Sequence, residues 1–525
     1  MTAPVAPANP GMVTLSIEGR TVIVPPGTNL IEAAKTVGVL IPHYCYHPSL
    51  PVAGVCRMCL VEVEKFPKLT PACATSVGEG QVVHVHSEKA REARKGVLEF
   101  LLINHPLDCP ICDQSGECEL QDYTFAEGRK DSRYMEPKRF NPMEDFGGDV
   151  LYVPNRCILC TRCVRFMDVM VQDPVLNVSE RGDRAYIGKF EGSDLTHAWA
   201  SNVVDLCPVG ALLSKDFLNK ARAWELDRAA SICPGCSQGC NVMLETRDNI
   251  VVRLRPRPNA AVNQHFACDV GRLNYRWINR RDRLEYPQVR TPAGICTTSW
   301  SEAIDAAATV IGAASRVSIL ASPSLSNEAL FVLGGIATHV GTDVMMSVPR
   351  GTEVPLAGAK DLALRAERAA NHTGAALLGI TESTSPMSGL AAGDVLIIAD
   401  ADGSSGVVPD GVRVILLGTV LDAALAKSVS VALPICNFAE EDGTFTNLRG
   451  RVQRFLQART PPVQARPSHR VIGDVAATIG AGTFPALASD VFAQLATTVP
   501  AFAGMSYRTL GLQGALAAMP AEVTA

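Results

Sequence analysis

The sequence predicts a multi-domain α+β chain. Three observations carry this: fifteen of the seventeen cysteines lie in tight groups before residue 270, short strands surround one helix in the first ninety residues, and strand-like and helix-like runs alternate beyond about residue 290. At 525 residues the chain exceeds one ordinary core, since domains average roughly 150 residues.

Residues 12–25 (MVTLSIEGRTVIVP) predict two strands around a Glu-Gly turn, followed by a helix over LIEAAKTVG, capped at Thr28 or Asn29 and closed by Gly38. An irregular stretch then leads to strands at LVEVE (60–64) and QVVHVH (81–86), an order that suits a small β-grasp domain. EKAREARKGVLEFLLIN (88–104) predicts an amphipathic helix, 125–150 a loop-like connection, and ALLSKDFLNKARAWEL (211–226) a mixed helix. Farther on, RVSILAS, DVLIIAD and VRVILLG alternate with SNEALFVLGGIATHV and LDAALAKS, predicting a parallel-sheet α/β domain. The tail from 480 is apolar but weakly patterned. Boundaries are expected at 1–87, 88–150, 151–226, 227–288 and 289–525.

With 47% hydrophobic and 19% charged residues, the composition is that of a soluble globular protein. A net charge of −5 gives no general attraction to nucleic acid. The N-terminus lacks the basic and apolar regions of a secretory signal, and no run reaches the roughly 18–20 apolar residues of a membrane span. In a reducing compartment, closely spaced cysteines are metal ligands more often than bridges.

The cysteines fall into four groups. Cys45, Cys56, Cys59 and Cys73 form a four-thiolate set for zinc or a [2Fe-2S] cluster, and the β-grasp setting favours iron. HPLDCPICDQSGEC supplies Cys109, Cys112 and Cys118, with His105 the nearest fourth donor; the alternative is a loop histidine and a distant cysteine. Gly116 permits the turn before Cys118. RCILCTRC supplies Cys157, Cys160 and Cys163, and DLCPVGAL adds Cys207, the parts of a bacterial ferredoxin motif for [4Fe-4S]. CPGCSQGC supplies Cys233, Cys236 and Cys240, with Cys268 in CDVGR. Arg253, Arg255, Arg257, Arg272, Arg276, Arg280, Arg281 and Arg283 form a belt that either favours reduction of this last site or is a basic surface. Cys296 and Cys436 stand alone and are expected to be small buried hydrophobes.

HPLDCPICDQSGECELQ, RCILCTRCVRF and DLCPVGAL resemble the family of the large iron-sulfur subunit of bacterial respiratory complex I, the NADH:quinone oxidoreductase. Residues 230–283 resemble the iron-sulfur domain of molybdopterin oxidoreductases, and AEEDGTFTNLRGRVQ (439–453) resembles a motif of their later domains. The resemblance implies one [2Fe-2S] cluster on the first group and [4Fe-4S] clusters on the His105 and Cys157 groups. With the fourth group filled, that makes three [4Fe-4S] clusters. It further implies electron transfer from a flavin-bearing NADH-oxidising subunit toward quinone through other peripheral-arm subunits, coupled to proton pumping by the whole complex. The implied location is the cytoplasmic side of the bacterial inner membrane, peripheral through the complex. No residue is expected to do substrate chemistry, and the His105 group is expected to be a link between the first and third groups.

The part after residue 289 is expected to be a truncated molybdopterin-oxidoreductase-like domain without pterin. A second reading is a subunit of another multi-cluster redox enzyme, such as formate dehydrogenase or an NAD-linked hydrogenase; an iron-only hydrogenase would need a further cysteine set, which Cys296 and Cys436 cannot supply. A third is a zinc-structured binding protein.

Overall fold

The computed structural model describes residues 11–401 and 407–519, so most of the N-terminal segment read for a leader lies outside it. The chain divides into two compact units: residues up to 225 together with 356–360, and residues 226–355 together with 361 onward. Among the described residues no helix is long and apolar enough to cross a membrane.

The first unit opens with the hairpin Val13–Ile17 and Arg20–Val24, turned at Glu18 and Gly19, both at positive φ. Such a two-residue turn matches the twist of the strands it joins. Asn29 caps the helix Leu30–Thr36 by accepting from Glu32 N at 3.0 Å. In the five-stranded sheet, Val13–Ile17 runs parallel to Val82–His84, and Leu60–Val63 lies beyond that strand. Alternate residues of the hairpin (Leu15, Ile17, Val22 and Val24) face Leu30, Ile31 and Ala34 in one core.

The helix Glu88–Leu102 begins at Ser87, whose Oγ accepts from Ala90 N at 3.3 Å. Its fully buried Arg94 donates to Val85 O at 2.9 Å and pairs with Glu127 of the helix Glu119–Glu127. Removing one partner of a buried pair typically costs about 3–5 kcal/mol. Arg94→Met is therefore expected to lower the unfolding free energy of this unit, measured by urea titration, by that much, and an unchanged midpoint would show that the pair contributes little.

The expected helix at 211–226 does not form. Leu212–Ser214 is a strand against Val150–Tyr152, and only Ala223–Glu225 makes a helical turn. The polar groups of this stretch are drawn to Asp149: Lys215 N donates to its carbonyl at 2.8 Å, and Asp216 N and Ser214 Oγ bond to its carboxylate.

In the second unit, an antiparallel sheet of Asp227–Ile232, Asn241–Arg247 and Ile250–Pro256 precedes an eight-stranded mixed sheet. The parallel part of that larger sheet starts at an inner strand, Val317–Ala321. It grows outward through Val344–Met346 to Thr381–Glu382, then on the other side through Val395–Ala399, Arg413–Gly418 and Val429–Pro434. Ile319, Ile397 and Ile415 face a core built with the helices Trp300–Gly312, Asn327–Val340 and Ser468–Thr478. Leu320, Leu396, Ile398 and Leu416 face Leu284, Met387 and Leu425 on the opposite side. On that side LDAALAKS makes only the turn Leu425–Lys427 rather than the expected helix. The weakly patterned tail supplies the helix Ala488–Thr498, whose Phe492 and Leu495 pack with Phe502 and Val452.

Candidate metal centres

The first set lies on the loop between the helix Leu30–Thr36 and the strand Leu60–Val63, with Cys73 following the strand Thr70–Pro71. Cys45, Cys59 and Cys73 are buried, and Cys45 N reaches Cys56 Sγ at 3.5 Å. Their thiols bond one another: contacts with Cys56 and Cys73 hold Cys45 far below the ordinary thiol range, and contacts with Cys45 and Cys59 push Cys73 up. Gly54 and Arg57, both at positive φ, bend the loop so that the backbone N–H groups of Val55, Cys56 and Met58 point at sulfur.

In the second set, Cys109, Cys112 and Cys118 act electrostatically on one another, and burial raises Cys118 to about 11. Gly116 takes a φ of 87°, as the turn requires. Its missing side chain admits Trp224, since a Cβ there would lie 2.7 Å from the indole. The chain returns to this loop from a distance: Arg222 donates to Cys112 O at 2.8 Å, and Asn219 N to Asp113 Oδ2 at 2.8 Å. Gly210 comes so close that a Cβ on it would stand 2.2 Å from Cys112 Sγ. His105 Nδ1 is buried without a hydrogen-bond partner, and burial, with Arg156 and Lys138 nearby, lowers the imidazole to about 4. It is thus neutral near pH 7, with a nitrogen lone pair available to a metal. Arg156 acts on both His105 and Cys112, and pairs with Asp108 at 2.9 Å.

In the third set, Cys157, Cys160, Cys163 and Cys207 line one small pocket. Leu159 and Thr161 both take left-handed backbone conformations, uncommon for such residues, and Leu159 N points at Cys157 Sγ from 3.4 Å. Burial raises Cys157 and Cys207 to about 11 and Cys160 to about 12. Tyr152 gives Cys157 a side-chain hydrogen bond.

The fourth set, Cys233, Cys236, Cys240 and Cys268, lines a second small pocket with Ala363 and Leu364. Cys268 Sγ accepts from Gly271 N at 3.3 Å, and a Cβ on Gly271 would sit 2.8 Å from Cys233 Sγ. The charges acting on Cys236 are those of Arg368 and Arg365, which sequence reasoning missed because they lie more than a hundred residues downstream. Of the arginine belt, Arg253 pairs with Glu245, Arg280 with Asp282 and Arg283 with Glu440. Cys436 is buried as expected, whereas Cys296 is exposed on the outer strand Gly294–Thr297. That strand closes one end of the sheet, where a side chain can face solvent.

The donor chemistry fits iron-sulfur groups. In the third and fourth sets the four thiols, raised by burial and by one another, cannot all ionise unless a cationic centre compensates them. The three sets of the first unit also adjoin one another: Tyr44, whose phenol burial pushes up, lies among Tyr123, Cys118 and Cys56, and Gly210 ties the third set to Cys112. The second set therefore adjoins both the first and the third.

Family models match in five stretches. They are a 2Fe-2S iron-sulfur cluster binding domain (11–88), the NADH-ubiquinone oxidoreductase-G iron-sulfur binding region (94–133), the ferredoxin-like domain of NADH-quinone oxidoreductase subunit 3 (147–213), the molybdopterin oxidoreductase Fe4S4 domain (227–280) and molybdopterin oxidoreductase (407–478). The chain is 39% identical over 332 residues to the G subunit of NADH-quinone oxidoreductase from Rickettsia bellii, covering 63% of this chain and 49% of that protein. It is 38% identical over 334 residues to the Rickettsia felis protein of the same name, covering 63% and 50%. The chain thus spans about half the length of the curated relatives it matches. A chain of the NAD+-reducing [NiFe]-hydrogenase, crystallised in the H2-reduced state, is 30% identical, with 40% of this chain and 90% of that chain covered and a TM-score of 0.37.

Proposed function

We propose that this chain is the large iron-sulfur subunit of an NADH:quinone oxidoreductase, carrying electrons from a flavin-bearing NADH-oxidising partner toward quinone. The observation that carries the reading is the grouping of fifteen cysteines into four sets, matched in the same order by iron-sulfur family models. The ligands are Cys45, Cys56, Cys59 and Cys73 for a [2Fe-2S] cluster. For three [4Fe-4S] clusters they are His105 with Cys109, Cys112 and Cys118; Cys157, Cys160, Cys163 and Cys207; and Cys233, Cys236, Cys240 and Cys268. Bound there, the clusters supply one-electron transfer. The chain holds their ligands, excludes water with residues such as Tyr152 and Ile187, and aims backbone N–H groups at sulfur.

The third and fourth sets each line a small pocket. Anaerobically purified protein is expected to be brown and to carry roughly fourteen iron atoms. Colourless protein with zinc in place of iron overturns the reading. His105→Ala is expected to alter or abolish one [4Fe-4S] EPR signal while the others survive, and unchanged signals would remove His105 from the ligand set.

A further inference from the structure

Two arginines on the short helix Arg162–Arg165, which carries Cys163 of the third set, reach into the other ligand loops of the first unit. Arg162 is 5% exposed. It donates to Tyr46 O at 2.7 Å and Leu206 O at 3.2 Å, and meets Glu119 Oε1 at 3.5 Å. Tyr46 follows Cys45, Leu206 precedes Cys207 and Glu119 follows Cys118. One guanidinium therefore touches the chain immediately beside a ligand of each of three sets. Arg165 donates through one nitrogen to Cys45 O at 2.6 Å and Cys160 O at 3.2 Å, and through another to Pro51 O. Burial lowers Arg165, while the thiols of Cys160, Cys45 and Cys163 oppose that shift. The other ionisable groups facing the pair are Glu119, His43 and Tyr123.

Acceptors that diverge in this way need the planar five-donor fork of arginine, which a lysine point charge cannot reproduce. The same two charges lie beside thiolates that carry negative charge when metal is bound, so they favour the reduced state. We propose that Arg162 and Arg165 are positioning residues that lock the three ligand loops of the first unit at fixed spacing and raise the reduction potentials of the groups held there. The proposal rests on the iron-sulfur reading above.

The test is an EPR-monitored redox titration of the anaerobically purified full chain, with iron content, for wild type, Arg162→Gln, Arg165→Gln and Arg165→Lys. Arg165→Gln is expected to keep its iron and to shift the one-electron reduction equilibria of the [2Fe-2S] and Cys157 groups about tenfold toward the oxidised state, about 59 mV. Arg165→Lys is expected to restore both potentials while weakening the spin–spin broadening between the two groups, because the charge returns without the fork. Arg162→Gln is expected to lower all three potentials of the unit or to lose iron. Wild-type potentials in a fully loaded Arg165→Gln overturn the proposal and leave the iron-sulfur reading standing. Should Arg165→Gln not load, Arg165→Lys decides: weakened broadening supports the proposal and unaltered broadening overturns it. Wild-type protein without iron overturns both readings.

Discussion

Gly210→Ala is expected to eliminate the [4Fe-4S] cluster proposed for the second set while leaving the clusters proposed for the other three sets. A Cβ on Gly210 would lie 2.2 Å from Cys112 Sγ, 3.1 Å from Gln114 Cβ and 3.7 Å from Arg156 Cδ. Non-bonded heavy atoms prefer separations of roughly 3.5–4.0 Å, so the sulfur or the loop must retreat by more than about 1 Å. The loop has little freedom to do so. Arg222 holds Cys112 O, Trp224 covers Gly116, and Glu119 N is tied to Pro208 O at 3.0 Å. Gly210 is not at positive φ, so the added methyl acts through space rather than backbone strain. Iron should fall by about four atoms per chain, with the [2Fe-2S] signal intact. Wild-type iron content in Gly210→Ala would show that the close approach has no consequence for the site.

Short-range information was legible in the sequence, and long-range information was not. The hairpin at Glu18–Gly19, the Asn29 cap, the helix from Glu88 and the parallel-sheet strands follow from neighbours within a few residues. The cysteine runs are equally local. Gly210, Arg162, Arg222, Arg365 and Arg368 take their meaning only from where the folded chain returns, and no spacing rule marks them. The helix expected at 211–226 failed because Asp149, more than sixty residues away, offers its carbonyl and carboxylate to that backbone. Cys296 departs from expectation because solitary cysteines usually favour the interior, whereas this one lies on an outermost strand.

In the second unit, stability is expected to fall as pH rises from about 4.5 to about 8, through two carboxyls buried on the helix-covered side of the molecule. Glu328, in the first turn of Asn327–Val340, accepts from Thr444 N at 3.0 Å, Thr444 Oγ1 at 2.9 Å and the Tyr507 hydroxyl at 2.9 Å. Burial outweighs these bonds and raises it to about 7. Glu441 accepts from Ser468 N and Oγ at 2.6 and 2.8 Å; burial, helped by the charges of Glu328 and Asp400, raises it to about 8. A carboxyl raised in the folded state keeps its proton over a pH range in which the unfolded chain has already lost it. The unfolded state therefore binds fewer protons, and ΔG of unfolding declines by about 1.4 kcal/mol for every pH step of one between the unfolded and folded values. The loss begins near the unfolded value of 4.5 and is complete above the folded values. The two groups together account for several kcal/mol, on the order of a small domain's whole stability. Glutamine mimics the neutral acid, so Glu328→Gln with Glu441→Gln should flatten the slope. Hydrogen-exchange protection of Val395–Ala399 at pH 5.5 and 8.5, corrected for intrinsic rates, reads the local opening free energy. Equal protection at both pH values in the wild type would mean that the two carboxyls find charge compensation in the folded state.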